Sequence, residues 1–351
     1  MEMPLDEFDR GMKNKAPGGS ARRTQWYVER FMTKATPLFA RQRLRNEKGF
    51  ALVLTLVVTA LLVALATEFL SDMYVETVSH RTYVAGQQAG LMAESGAQGA
   101  LRLLQLGLSG QNYTSLQDRW AKPFKLEDER GELEVTVSEE NARLNINSVA
   151  LPNGAFNDAA YGIWLRLLNR EKLPADLGDA LADWVDTNEE PHPGGAESAW
   201  YRAQAQPMVP RNAPLATLEE LALIKGFDPA TRDKLQKYLT VYGGVPGETI
   251  SPININTAPK ELLAVLDEAM TDVLAGRIDE RRRTEPFTHP AELANVPGLE
   301  TIANRLALRI GVKGSVFRVV ARATVGETVR VVEAVARVSG GASTILYWRE
   351  Y

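Results

Sequence analysis

The chain has 351 residues, 45% of them hydrophobic, with 40 basic and 44 acidic side chains and a net charge of −4. That balance gives no electrostatic basis for binding nucleic acid or an anionic membrane surface. The chain has no cysteine, which excludes disulfides, thiolate chemistry and Cys-based zinc sites, so stability rests on core burial or on hard cations held by oxygen.

Residues 1–49 contain Pro, Gly, Ser and a basic excess without periodicity, and they are predicted to be a disordered leader. Met32 offers a second start within it. Arg41, Arg43, Arg45 and Lys48 precede Gly49, and Phe50 to Thr67 is a run of eighteen uncharged residues closed by Glu68. That is about the minimum for crossing a bilayer as a helix. The positive-inside bias places residue 49 in the cytoplasm and everything after Thr67 outside. A signal peptide would have a shorter apolar core, a small-x-small cleavage site and a change of character after it. Here Phe69, Met73, Val84, Leu91, Leu101 and Leu104 continue among polar residues, with no proline until Pro123. The pattern predicts one long helix, apolar first and amphipathic later.

"RGELEVTVSEENARLNIN" alternates Leu133, Val135 and Val137 with Glu134 and Thr136, the period of a half-buried strand. From about 150 to 312 the text is helical, broken by Pro and Gly. "SVFRVVARATVGETVRVVEAVARV" then predicts two strands joined at Gly326-Glu327, with Gly first as a type II′ turn requires, and "STILYWREY" predicts a last strand. Strands on both sides of a helical block predict an α+β fold in which one sheet is interrupted by an all-α insertion. "RLNINS" at 143–148 and "PININTAP" at 252–259 echo one another, and capping of the helices that follow is enough to explain both.

The densest polar stretch is "ADWVDTNEEPHPGGAESAWY" at 182–201. Asp183, Asp186, Asn188, Glu190 and Glu197 offer oxygen ligands in a loop made irregular by Pro191, Pro193 and Gly194-Gly195. Calcium takes six to eight oxygens in such loops, but the spacing is not that of an EF-hand. On chemistry alone a solvated acidic loop is the better reading.

Glu189, Glu190 and His192 raise acid/base catalysis. Only His80, His192 and His289 exist, without a Ser-His-Asp order or a phosphate-binding glycine loop, so the chain is read as a non-enzyme. "TLEELALIKGF", with Thr217 and Glu220 spaced as a capping box, and "NVPGLETIANRL" look like helix-hairpin-helix units. In such units hairpin amides and nearby Lys or Arg grip DNA phosphates. Glu292 and Glu300 offset Arg305 and Arg309 there, "RIDERRR" at 277–283 reads as a solvated helix face, and export makes a DNA role remote. Both hairpins are read as packing units.

Basic residues, Gly49, an aromatic at 50 and a retained apolar helix resemble the signal of type IV pilins and type II secretion pseudopilins. The resemblance implies cleavage by prepilin peptidase between Gly49 and Phe50, with methylation of the new amino terminus. Most of that family has glutamate at the fifth mature position, here Leu54; a carboxylate in an apolar core needs a positive partner. Lack of that glutamate, together with length, resembles the K minor pseudopilins of the general secretion pathway, from about Arg41 onward. They carry a similar Asp-Trp-x-Asp-x-Asp…Gly-Ala-Glu stretch and bind calcium in their helical domain, so Ca2+ is implied here, with Asn188 in place of the third acid.

The resemblance implies a cytoplasmic leader at 1–49, a transmembrane and pilin helix at 50–110 and a pilin-like β core at 111–149 and 313–351, with a helical domain inserted at 150–312. It implies an inner-membrane, single-pass protein with its bulk in the periplasm. Its role would be to cap the pseudopilus and help initiate its assembly, with the minor pseudopilins I, J and H as partners and no nucleic acid. An anchored periplasmic binding protein and a DNA-uptake pilus subunit are the alternatives.

Overall fold

A computed structural model of the chain describes residues 48–243, 251–339 and 341–351. The leader up to residue 47, with the second start at Met32, lies outside the described residues. The chain divides into two units, 1–73 and 74–351.

In the first unit the described part is the opening of helix α1 (Lys48–Gly107), which is long and apolar enough to cross a membrane. Every residue from Gly49 to Met73 is exposed. Thr55, Thr59 and Thr67 turn their hydroxyls back onto carbonyls three or four residues earlier, at 2.9, 2.5 and 2.7 Å. That satisfies a polar group that lipid could not.

In the second unit α1 becomes one-sided. Ala89, Ala93, Ala97, Leu101, Leu104 and Leu108 recur at three- and four-residue spacing and are buried, forming one helix face. They pack on an antiparallel sheet: β1 (Phe124–Asp128), β2 (Gly131–Glu139), then, far along the chain, β7 (Val316–Val325), β8 (Thr328–Ser339) and β9 (Ala342–Glu350). The order is β1-β2-β7-β8-β9. Leu133, Val135, Phe317, Val319, Ala321 and Ala323 meet the helix in a shared core. The alanines set how near the helix comes; a Cβ on Gly96 would stand 2.9 Å from Leu133 Cδ1. The β7–β8 turn is Gly326-Glu327, with Val325 opposite Thr328 and Gly326 at φ +59°. β1 was not predicted: its five residues are all exposed and show no alternation.

The fold is therefore α+β, with the chain between the paired strands β2 and β7 forming a helical body. Its elements in order are β3 (Leu144–Asn145), α2 (Asp158–Arg170), α3 (Asp176–Val185), α4 (Ser198–Arg202), α5 (Pro229–Leu235) and β4 (Leu239–Thr240). β5 (Ile253–Asn254), α6 (Lys260–Leu263), α7 (Asp272–Thr284), α8 (Glu300–Leu306) and β6 (Ile310–Gly311) complete it. β3 pairs in parallel with β4, and β5 with β6.

These elements form two copies of one plan. Asn147 Nδ2 donates to Leu215 O and Val241 O while its Oδ1 accepts from Leu215 N. Asn256 makes the corresponding bonds to Phe287 O, Val312 O and Phe287 N. Gly226 and Gly298 occupy the two hairpins at φ +86° and +85°. A Cβ would meet Leu177 of α3 at 2.8 Å in one hairpin and Leu274 of α7 at 3.0 Å in the other. The sequence echo is thus a repeated clamp, more than a cap. In the second copy the chain runs from α7 almost directly to Phe287, whereas in the first, residues 186–214 intervene before Leu215. That extra segment carries the acidic cluster.

Candidate metal centre

α3 presents Asp176, Asp179 and Asp183 along one face, and Asp186 terminates it at φ −75°, ψ 172°. Asp183 and Asp186 thus stand at the negative end of the helix dipole, where cations are favoured and carboxylates are not. Both are 0% exposed, and Glu197 is 4% exposed. Asp186 Oδ2 and both oxygens of Glu197 are buried without a hydrogen-bond partner. Burial, and then the charges of Asp183, Asp186 and Glu189, push the Glu197 carboxyl up to about 7. Burial raises Asp186 as well. Buried carboxylates with idle lone pairs are costly unless a positive charge meets them.

The surrounding backbone is shaped to this cluster. A Cβ on Gly195 would lie 1.8 Å from Asp183 Oδ2, so only glycine permits that approach. Gly194 N donates to Asp179 Oδ2 at 2.9 Å, and Lys225 Nζ holds Gly194 O and Gly195 O at 3.0 and 2.8 Å. From the other side comes a turn the sequence did not reveal. Gly154, at φ +82°, would place a Cβ 2.7 Å from Asn188 Nδ2 and 2.9 Å from Asp186 Oδ2, and Thr187 N donates to Pro152 O at 3.0 Å.

Of the five residues expected to ligate, the structure brings ligand atoms of Asp183 and Asp186 within 4.8 Å of each other, and Glu197 is buried near enough for their charges to raise its carboxyl. Asn188 Oδ1 instead accepts from Glu190 N at 2.6 Å, and Glu190 itself is exposed. Glu189 clamps α4, accepting from Ser198 Oγ at 2.8 Å. One ligand atom each of Asp183, Asp186 and His192 lie within 4.8 Å of one another; His192 had been weighed only for catalysis. Three buried carboxylates in a glycine-shaped loop, two of them with oxygens that have no hydrogen-bond partner, fit a divalent cation.

The processing residues lie elsewhere. Gly49 and Phe50 are in the first turn of α1, and Leu54 is in the next, 53% exposed. A Cβ on Gly49 meets nothing within 4 Å.

Family models described as type II secretion system (T2SS), protein K match residues 142–244 and 253–313, the two copies of the helical plan. The type II secretion system protein K of Klebsiella pneumoniae is 31% identical over 273 residues, covering 73% of this chain and 81% of that protein. The chain belongs to the type II secretion system protein K family. The protein K of Aeromonas hydrophila is 26% identical over 313 residues, covering 81% of this chain and 91% of its own. A chain in the crystal structure of the GspK-GspI-GspJ complex from the enterotoxigenic Escherichia coli type 2 secretion system shares the fold. Its TM-score is 0.63 at 24% identity, covering 79% of this chain and 99% of that one.

Proposed function

We propose that this K-family protein is a minor pseudopilin that caps the periplasmic pseudopilus and helps start its assembly. In this reading it is anchored in the inner membrane by the opening of α1 and matured by prepilin peptidase between Gly49 and Phe50. The observation that carries the tip position is Leu54 on α1 combined with the helical body between β2 and β7. A subunit within a filament has neighbours above and below. Leu54 leaves a neighbour's amine without the carboxylate it would pair with, and the helical body obstructs stacking. Both difficulties vanish at the end.

Partners corresponding to GspI and GspJ, present in the complex of the neighbour structure, are supported by an apolar groove of about 920 Å³ between α1 and the edge of the sheet. Leu103, Leu106, Trp120, Phe124 and Val137 line it. Its occupant in this reading is the apolar helix of a neighbouring minor pseudopilin. The acidic centre is read as a cation site that fastens residues 186–214, with Ca2+ the ion implied by family resemblance. The DNA-uptake alternative is disfavoured at the second hairpin, where Gly298 N already donates to Glu300 Oε1 at 3.0 Å, a carboxylate where a phosphate would stand.

Co-expression with prepilin peptidase should give a product beginning at Phe50, and Gly49→Val should block it. Gold label on the helical body should mark only the ends of overproduced pseudopili; label along the shafts would sink the tip position.

A further inference from the structure

A bulge in β9 turns Tyr347 away from the core. Ile345 pairs with Ala336, which belongs to the core shared with α1, while Tyr347 pairs with Val335. Leu346 is therefore the extra residue, and Tyr347 falls on the opposite face of the sheet from Ile345, as bulges re-aim side chains. There it walls a cavity of about 430 Å³ at the seam between the sheet and the first copy of the helical plan, together with Arg143, Arg232, Lys237, Tyr242 and Arg318. The Tyr242 and Tyr347 rings stand 6.1 Å apart, centroid to centroid.

Four cations face this cavity against the acid Glu219. Two of them are engaged: Arg143 and Arg318 both meet Glu140, and Arg318 also meets Glu333. Arg232 is not, since its Nε is buried without a hydrogen-bond partner, and a buried donor left idle costs folding free energy. Lys237 is exposed, with its Nζ 4.5 Å over the Tyr238 ring. A carboxylate is the group that a guanidinium beside an ammonium takes.

Independently, β9 is an unprotected edge. The sheet ends at β9, and among the described residues its main chain pairs only with β8. The other edge, β1, carries Lys125, Glu127 and Asp128, whereas Ser343 to Trp348 carry no charge. Ile345 and Leu346 are 53% and 37% exposed. Charges blunt an edge strand, and an edge without them is a template for another strand.

We propose that β9 and this cavity together dock an extended acidic segment of a partner protein. The segment's main chain adds a strand beside β9, and one of its carboxylates enters the cavity to meet Arg232 and Lys237. In strand addition main-chain bonds supply affinity, and pockets for alternate side chains supply specificity. The site lies at the edge of the sheet opposite the groove lined by Phe124, so it does not rest on the tip position.

The test uses the full-length chain in detergent and a fluorescein-labelled peptide alternating Glu with Thr, read by fluorescence polarisation. That peptide should bind, and one alternating Lys with Thr should not. Arg232→Gln combined with Lys237→Gln should weaken binding about tenfold or more, the loss of a charge-assisted bond, while the melting temperature holds. A backbone N-methylated version of the peptide should not bind, and free glutarate should compete only weakly. No binding of the Glu-Thr peptide would overturn the proposal as a whole. Equal binding of the Lys-Thr peptide, or affinity unchanged in the double variant, would overturn the role of the cavity. Indifference to N-methylation would overturn strand addition, and glutarate competing as well as the peptide would reduce the site to one for small carboxylates. Self-association of the chain, seen by sedimentation and blocked by the peptide, would put a second copy on β9 and overturn the acidic partner.

Discussion

The side-chain amide of Asn254, on β5, donates to Glu139 Oε1 at the end of β2 at 2.8 Å, so the second copy of the helical plan is tied to the sheet through one buried carboxylate. Thr114 Oγ1 donates to the other oxygen at 2.8 Å. The next two residues continue the junction. Glu140 receives Arg318 of β7 at 2.8 Å, and Asn141 Oδ1 accepts from Ser315 N and Val316 N at 2.9 and 3.0 Å. Three consecutive buried polar residues therefore join the sheet to the body inserted in it.

Burial outweighs the hydrogen bonds to Glu139 and pushes its carboxyl up to about 7 from 4.5. The native state then holds this proton more tightly than the unfolded state. Below about 4.5 both states are protonated and the burial penalty is absent; it grows as pH rises and is complete above about 7. Relative to Glu139→Gln, the wild-type chain should lose stability between pH 5 and 8, by up to a few kcal/mol on the shift's own scale. Urea midpoints of both proteins across that range would measure it, and parallel slopes would refute it.

Glu140 is the anion of a denser network. Its Oε1 meets Arg143 Nη1 at 2.7 Å and Arg318 Nε at 2.8 Å, and its Oε2 accepts from Thr240 Oγ1. Glu140→Ala would strip Arg318 of one of its two carboxylates, leaving it Glu333, and should cost about 3 kcal/mol, the low end for breaking a buried pair. Arg143→Ala removes a more exposed partner and should cost nearer about 1 kcal/mol. Denaturant titration of both variants compares them; equal losses would mean that burial adds nothing to this pair.

The long helix, the α+β class and the Gly326-Glu327 hairpin were legible because each rests on a local signal: an uncharged run, period-two alternation, a glycine where φ must be positive. The duplication was not. β3 to β6 are two residues each, too short for any period, and Asn147 and Asn256 reach partners 68 and 31 residues onward. At the metal centre the acids were visible as a cluster in the text. Gly154 was not, because it comes from a turn before α2, and Glu190 counted as a ligand only because spacing cannot show which way a side chain faces.

If the two Asn clamps are equivalent devices, their removal should have similar consequences, graded by burial. Asn256→Ala strands Phe287 N and Phe287 O in a site where the asparagine is 2% exposed, while Val312 O keeps its bond from Thr114 N. Asn147 is half-buried. Each orphaned buried group costs about 1–3 kcal/mol, so Asn256→Ala should lower the melting temperature more than Asn147→Ala. The reverse order would show that the copies differ in how they bear load.

The metal centre predicts opposite signs for one substitution under two conditions. Without an ion, Asp186 adds a buried carboxylate beside Asp183 and Glu197 at the negative end of α3, so Asp186→Asn should melt at or above wild type in chelator. With a divalent ion at about a hundred times its dissociation constant, wild type should gain about 2.7 kcal/mol, and Asp186→Asn should gain little. Gly195→Ala should lose the same gain by another route, because its Cβ would enter the space of Asp183 Oδ2. Melting curves of the three proteins in chelator and in Ca2+ or Mn2+ decide the matter. A wild type that melts identically in all three conditions would leave the buried acids without a cation.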